Sequence, residues 1–232
     1  METAAATHVG RVRAINEDSW LTLPALALVA DGMGGHACGD VASSLVADAF
    51  ETLGAAAELD PATVVAAVAQ ANEAILAEAE ADEAKAGMGT TVTGIARVTG
   101  EHWLIFNVGD SRVYRIVDGA AVQITEDHSA VARMVATGQL APELAKSHPL
   151  RNVITRSVGM EPTPEVDTWL LPTAPGDLFL ACSDGLTGEL DDWEIAALAS
   201  EAPSLQAAAD ALVTAAVERG GRDNVTVVLA RL

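Results

Sequence analysis

The stretch that most constrains this chain is Ala25–His36, ALALVADGMGGH. An unbroken apolar run, Ala25 to Ala30, stops on Asp31, and four of the next five residues are Gly or Met. A short apolar run closed by glycine reads as a buried strand feeding a loop. Such a strand does not end in a carboxylate without a partner for it, because an unpaired buried charge is costly. A metal ion is one such partner, and the neighbouring glycines let backbone come close to whatever is bound.

The pattern recurs. Trp103 to Val108 is apolar but for Asn107 and leads through Gly109 to Asp110. Leu178 to Cys182 leads through Ser183 to Asp184 and Gly185, and Asp223-Asn224 directly precedes the apolar run Val225 to Ala230. Four aspartates therefore sit at strand ends. If those ends lie on one edge of the sheets, the carboxylates converge. Oxygen clusters of this kind suit magnesium, manganese or calcium rather than zinc or copper. Two such ions about 3.5–4 Å apart can activate a water for attack on phosphorus.

At 232 residues the chain is expected to form one domain, spanning 1–232, with a full core. Half its residues are apolar yet only eight are Phe, Trp or Tyr, so that core must be Ala, Val and Leu. A net charge of −20 argues against nucleic acid, whose phosphates need Lys and Arg, and against an anionic membrane surface. It leaves phosphoproteins open as partners. Two cysteines, Cys38 and Cys182, without a CxxC pair fit a reducing compartment. The N-terminus METAAATHVG lacks the basic and apolar regions of a signal peptide, and no run reaches the ~18 apolar residues of a membrane span. A soluble, cytoplasmic protein is the expectation.

Element signals follow in order. Gly10 to Leu23 reads as strand, interrupted by Asn16-Glu17-Asp18. Val41, Leu45, Val46, Ala49, Phe50 and Leu53 recur at helical spacing, with Gly54 as a stop. Asp60-Pro61 caps a long second helix marked by Val64, Val68, Ala71 and Ile75. Strands are expected over Thr90–Val98, His102–Val108, Val113–Val117 and Ala121–Ile124, the last two joined by the hairpin pair Asp118-Gly119. Ser129–Thr137 predicts a helix, 140–156 an irregular excursion, and Val166–Leu171 and Asp177–Cys182 further strands. Asp191-Asp192 caps a short helix, Ser204–Arg219 forms a longer one, and Val225–Leu232 is the last strand. Strands and helices in separate blocks imply antiparallel sheets with helix pairs outside.

Each motif has a plainer reading. Asp-Gly is a common turn pair, Asp110 could simply turn a hairpin, and Asp223 could cap a turn. The joint placement of all four beside apolar strands favours a site. Gly32 to Ala37 fits GxGxxA, the dinucleotide fingerprint, with Glu51 about 20 residues on. Asp31 would aim a negative charge at the pyrophosphate, and a second helix follows instead of a parallel strand, so that reading fails. Cys182 lacks the Arg that a phosphatase cysteine needs a few residues on, since Ser183 to Leu190 contains none. It reads as a core residue. Arg11 and Arg13, two apart, would share one face of a strand, and either could hold a phosphate by bidentate hydrogen bonds. His36 is the histidine nearest the glycine loop and a candidate proton donor.

Seven stretches carry a resemblance: Arg13-Ala14-Ile15-Asn16-Glu17-Asp18, Val29 to His36, Gly87-Met88-Gly89-Thr90-Thr91, Asn107 to Arg112, Thr125 to Ser129, Ser183-Asp184-Gly185-Leu186 and Arg222 to Thr226. In these, and in their order, the chain resembles the metal-dependent Ser/Thr protein phosphatases of type 2C in their bacterial form. The resemblance implies an α+β fold, a four-layer α/β/β/α sandwich of two antiparallel sheets flanked by helix pairs. It implies that Asp31 bridges two manganese or magnesium ions, that the Gly32 carbonyl helps bind one, and that Asp184 and Asp223 bind the other. Asp110, with Asp184, matches the site of a third, weaker ion. Glu17 and Asp18 match residues that hold metal-bound waters, Asn224 stands beside the last ligand, and Arg13 matches the arginine that holds the substrate phosphate. The 140–156 stretch corresponds to a flap. Met33 stands where eukaryotic members place a proposed acid, His, which leaves His36 or water on the third ion for that role. The implied activity is hydrolysis of phosphoserine and phosphothreonine in proteins by a hydroxide bridging the two ions, reversing bacterial Ser/Thr kinases, with a monomer expected. Two other readings stand beside it: dephosphorylation of a partner-switching anti-sigma antagonist, or an inactive phosphoprotein-binding module on the same fold.

Overall fold

The computed structural model describes residues 1–34 and 38–232. Two antiparallel sheets stack face to face. One runs in the order β1 (Glu2–His8), β11 (Val225–Arg231), β10 (Leu178–Cys182), β7 (Arg112–Val117), β8 (Ala120–Gln123). The other runs β2 (Asp18–Leu23), β3 (Leu26–Met33), β5 (Val92–Val98), β6 (His102–Val108), β9 (Asp167–Pro172), with the two-residue β4 (Gly89–Thr90) paired to the end of β3. Helices α1 (Gly39–Glu51) and α2 (Pro61–Ala81) cover the second sheet. Helices α5 (Asp192–Glu201) and α6 (Leu205–Arg219) cover the first. The expected four-layer sandwich is the one observed.

The unbroken apolar runs have a direct cause: the inner strands are buried on both faces. Along β3, Leu26, Leu28 and Ala30 face the helices while Ala27 and Val29 face the other sheet. In β10, Leu180 and Cys182 face helices while Phe179 and Ala181 turn inward. Three apolar clusters result, one under each helix pair and one between the sheets. With few aromatics, the middle layer is filled by Ala, Val and Ile around Trp103 and Phe179, whose rings lie 5.4 Å apart. Trp103 donates its Nε1–H to the buried Asp177 at 2.8 Å, which also takes Arg115 at 2.6 Å. Local caps agree with the chemistry: Asp60 accepts from the Ala62 amide, Ser204 from Ala207, and Asp191 and Glu194 form a reciprocal capping box.

Four expectations need correction. Residues 10–17 form a loop rather than a strand, so Arg11 and Arg13 share no strand face. The chain opens instead with β1, which polar and Ala-rich residues hid: at this sheet edge only Ala4 is buried. Strand β3 runs past Asp31 to Met33, because Gly32 and Met33 pair with Thr90 and Gly89. The Gly109-Asp110 turn is no hairpin, since β6 and β7 belong to different sheets and the chain crosses between layers there. A four-residue helix, α4 (Asp184–Thr187), also precedes α5. The 140–156 segment holds a 3-10 turn at Pro142–Ser147 and a single antiparallel bridge from Ile154 to Ser129. Among the described residues no helix is long and apolar enough to cross a membrane.

Candidate metal and phosphate site

At one end of the sandwich a cavity of about 390 Å³ is lined by Asp31, Asp110, Asp184 and Asp223, together with Arg13, Glu17, Gly32 and Asn224. All four strand-end aspartates thus open into one space. Each arrives by a different route: Asp31 within β3, Asp110 at the crossover after β6, Asp184 at the start of α4 after β10, and Asp223 just before β11. His36 lies outside the described residues.

Close backbone packing draws these routes together. A Cβ on Gly32 would stand 2.1 Å from the Gly39 carbonyl oxygen and 2.6 Å from that of Glu17. One on Gly185 would stand 1.9 Å from the Asn224 carbonyl oxygen, so the Asp184 and Asp223 loops can touch only because position 185 is bare. The Asp31 peptide is held on both sides. Its N–H donates to Thr91 Oγ1 at 3.0 Å, and its carbonyl accepts from the Thr91 amide at 2.9 Å and Thr90 Oγ1 at 2.9 Å. Asn224 gathers the 10–17 loop: Oδ1 accepts the Glu17 amide at 2.8 Å, and Nδ2 donates to the carbonyls of Val9 and Ile15 at 3.0 and 2.9 Å. That loop presents Arg13, whose guanidinium donates to Asp223 Oδ2 at 2.7 Å while remaining half exposed.

The electrostatics are those of carboxylates short of counter-charge. Burial pushes Asp31 well above the usual carboxylate range, and the charges of Asp18, Asp184, Asp110 and Asp223 push the same way. Burial, then Asp184, raises Asp110 to about 8. Burial, then Asp223, raises Asp184 to about 6. Asp18 pairs across the strands with Asp31 and is raised to about 7 by burial, although Ser183 donates to its Oδ2 at 2.8 Å. Its other oxygen, Oδ1, is buried with no hydrogen-bond partner among the described residues. An orphaned carboxylate oxygen beside three more acids fits a hard divalent cation or its hydration shell, and the all-oxygen donor set fits magnesium or manganese. Among the described residues, no three His, Cys, Asp or Glu side chains stand in a ready coordinating array. The aspartates share the cavity, and Asp223 is turned to Arg13.

The 140–156 segment contributes Asn152 and Ile154 to the cavity wall. Cys182 takes no part: it is fully buried, and its thiol is pushed up to about 12 by that burial. Sequence reasoning missed Thr90, Thr91 and Ser183, whose hydroxyls brace the acids; only their adjacency to motif glycines and aspartates marked them.

Two antiparallel sheets between helix pairs, with strand-end carboxylates gathered at one edge, define the class: an α/β/β/α domain with an acidic, cation-suited cavity. The sequence profile described as Protein phosphatase 2C matches residues 10–223. The chain belongs to the protein phosphatase 2C family. It is 37% identical over 240 residues to the serine/threonine phosphatase stp of Listeria welshimeri, covering 99% of this chain and 95% of that protein. It is 41% identical to the serine/threonine protein phosphatase PstP of Mycobacterium tuberculosis over 98% of this chain and 44% of that one. The crystal structure of the catalytic domain of PstP in complex with two manganese ions superposes with a TM-score of 0.87 at 38% identity, over 98% of this chain and 96% of that chain.

Proposed function

We propose that this protein is a manganese- or magnesium-dependent hydrolase of phosphoserine and phosphothreonine in proteins, acting in the bacterial cytoplasm against the products of Ser/Thr kinases. The observation that carries this reading is the opening of Asp31, Asp110, Asp184 and Asp223 into one cavity with Arg13 at its side. Asp31, the Gly32 carbonyl, Asp184 and Asp223 would hold two ions, and Asp110 with Asp184 would hold a third, weaker one. Bound there, divalent ions neutralise charge on the phosphoryl group and lower the pKa of an attacking water.

The protein's own groups do the rest. Asp18 Oδ1 and the Glu17 carboxylate would accept hydrogen bonds from waters around bound ions and so orient them. Asn224 holds the 10–17 loop in place. Arg13 exchanges its contact with Asp223 for the substrate phosphate, a dianion that a guanidinium can bind bidentately. Cys182 is not the nucleophile, since its sulfur is sealed in the core and its thiolate is disfavoured. An inactive phosphoprotein-binding module is disfavoured, because Asp31, Asp110, Asp184 and Asp223 all line this cavity.

The deciding assay is hydrolysis of a phosphothreonine peptide with added Mn2+, with Mg2+, and with chelator. Release of phosphate with either metal and none in chelator is expected, and Cys182→Ser should keep most of its turnover. Undiminished hydrolysis in chelator would overturn the reading.

A further inference from the structure

His128 has no part in the chemistry above, yet its ring is buried and both nitrogens are engaged. Nδ1 accepts the amide N–H of Gly109 at 3.0 Å, so it carries no proton. The proton therefore sits on Nε2, which donates to Asp167 Oδ2 at 3.0 Å. Arg156 Nη1 donates to Asp167 Oδ1 at 2.8 Å; it also stands 3.2 Å from Nε2, an approach of donor to donor once Nε2 is protonated, and the carboxylate between them holds both. Burial works the other way, but these hydrogen bonds from His128 and Arg156 hold Asp167 below the usual carboxylate range. It thus stays an acceptor and fixes the ring's tautomer.

The main chain of His128 closes the grip. Its N–H donates to the Gly109 carbonyl at 2.9 Å, so ring and backbone together satisfy both polar groups of Gly109. Gly109 needs such a hold. Its φ of +115° is a conformation L side chains rarely adopt, and a Cβ there would stand 2.5 Å from Thr91 Cγ2. Strands β6 and β7, on either side, lie in different sheets, so no ladder fixes the turn between them. The next residue is Asp110. The His128 carbonyl, in turn, accepts the Thr155 amide at 2.7 Å, next to the cavity-lining Ile154.

We propose that His128 is a positioning residue: as the neutral Nε2–H tautomer it clamps the Gly109 peptide and so sets where the Asp110 carboxylate stands in the cavity. This rests on the reading of Asp110 as the ligand of a weak cation site.

The test begins on metal-free protein. Nitrogen-15 spectra of the His128 ring should show the Nε2–H tautomer at neutral pH, and the Gly109 amide should exchange slowly. Two variants then separate clamp from packing. In His128→Asn, the side-chain Oδ1 can stand where Nδ1 does and accept the same N–H; His128→Leu keeps the bulk and loses the acceptor. His128→Leu should speed Gly109 exchange by about tenfold or more, since the local opening is no longer opposed. It should weaken the weakest Mn2+ site and lower kcat on a phosphothreonine peptide by roughly 10–100-fold, with KM and the tight sites little changed. His128→Asn should restore protection, weak-site affinity and most of kcat. An Nδ1–H tautomer, wild-type Gly109 protection in His128→Leu, or equal damage in both variants would overturn the proposal. If His128→Leu does not fold, the tautomer and the Asn variant decide the matter. If Asp110→Asn leaves kcat and the weak site unchanged while His128→Leu still loosens Gly109, the clamp stands and the role given to Asp110 falls.

Discussion

A methyl group at position 185 would stand 1.9 Å from the Asn224 carbonyl oxygen, an overlap with backbone rather than with a flexible side chain. Gly185→Ala should therefore push apart the segments that carry Asp184 and Asp223. A cost of about 1–3 kcal/mol, typical of overpacking, is expected in denaturant melts, together with weakened Mn2+ binding. Wild-type metal affinity in a folded Gly185→Ala protein would show that the close approach is not what places those two acids. At this scale the aspartates were legible because each interrupts or precedes an apolar run, where a charge has no plain reason to be. Thr91, Asn224 and His128 were far less so. Their work is done on backbone amides and carbonyls contributed by distant segments, and such partners leave no pattern in a single chain.

Among the elements, those with the strongest patterning came through with boundaries within a residue or two. β6, β10, β11 and the capped α3 (Ala130–Ala136) and α6 match their expected spans closely, and α2 begins at the expected Pro61. Runs buried on both faces are apolar throughout, and caps are local chemistry. Strand β1 escaped because an edge strand with one buried residue needs no apolar run, only a partner, which here lies more than two hundred residues away in β11. The loop that leads into β11 is held by another contact invisible in sequence. The Glu189 carboxylate, almost wholly buried, takes the Arg222 amide at 3.1 Å and its Nε and a terminal nitrogen at 2.9 Å each. The hydrogen bonds from Arg222 hold Glu189 below its ordinary value of 4.5. A depressed folded-state pKa contributes stability that is present above the unfolded value and lost as pH falls through the folded one. The melting-temperature gap between wild type and Glu189→Gln should thus be full at neutral pH and close as pH drops below about 4.5. A gap that persists unchanged in acid would mean the clamp is steric rather than ionic.

For the molecule as a whole, charge is the dominant property: 33 acidic against 13 basic residues, a net −20. An acidic phosphopeptide approaches against that field even though Arg13 and bound cations receive it at the end. Raising ionic strength from about 0.01 to 0.15 M shortens the Debye length from about 30 to about 8 Å and should raise kcat/KM for such a peptide. A peptide of zero net charge should respond little. Equal salt response for the two would show that the global field does not reach the encounter.

The pairing of β1 with β11 sets Glu2 opposite Arg231 and His8 opposite Val225. Asp223 lies just beyond the second of these pairs, so both chain ends leave the sheet side by side at the edge away from the cavity. Seven paired residues at about 3.4 Å each put roughly 20 Å of strand between them and the acids. The fold therefore behaves as a head with its neck at the back. Whatever is tethered to either end, a further domain, a membrane anchor or a purification tag, trails behind the mouth instead of across it. Because the ends are neighbours, joining Leu232 to Met1 by a short linker and reopening the chain at the exposed Asp118-Gly119 hairpin would give a permuted molecule with the same mouth and its neck still at the far end, moved to the opposite edge of the sheet.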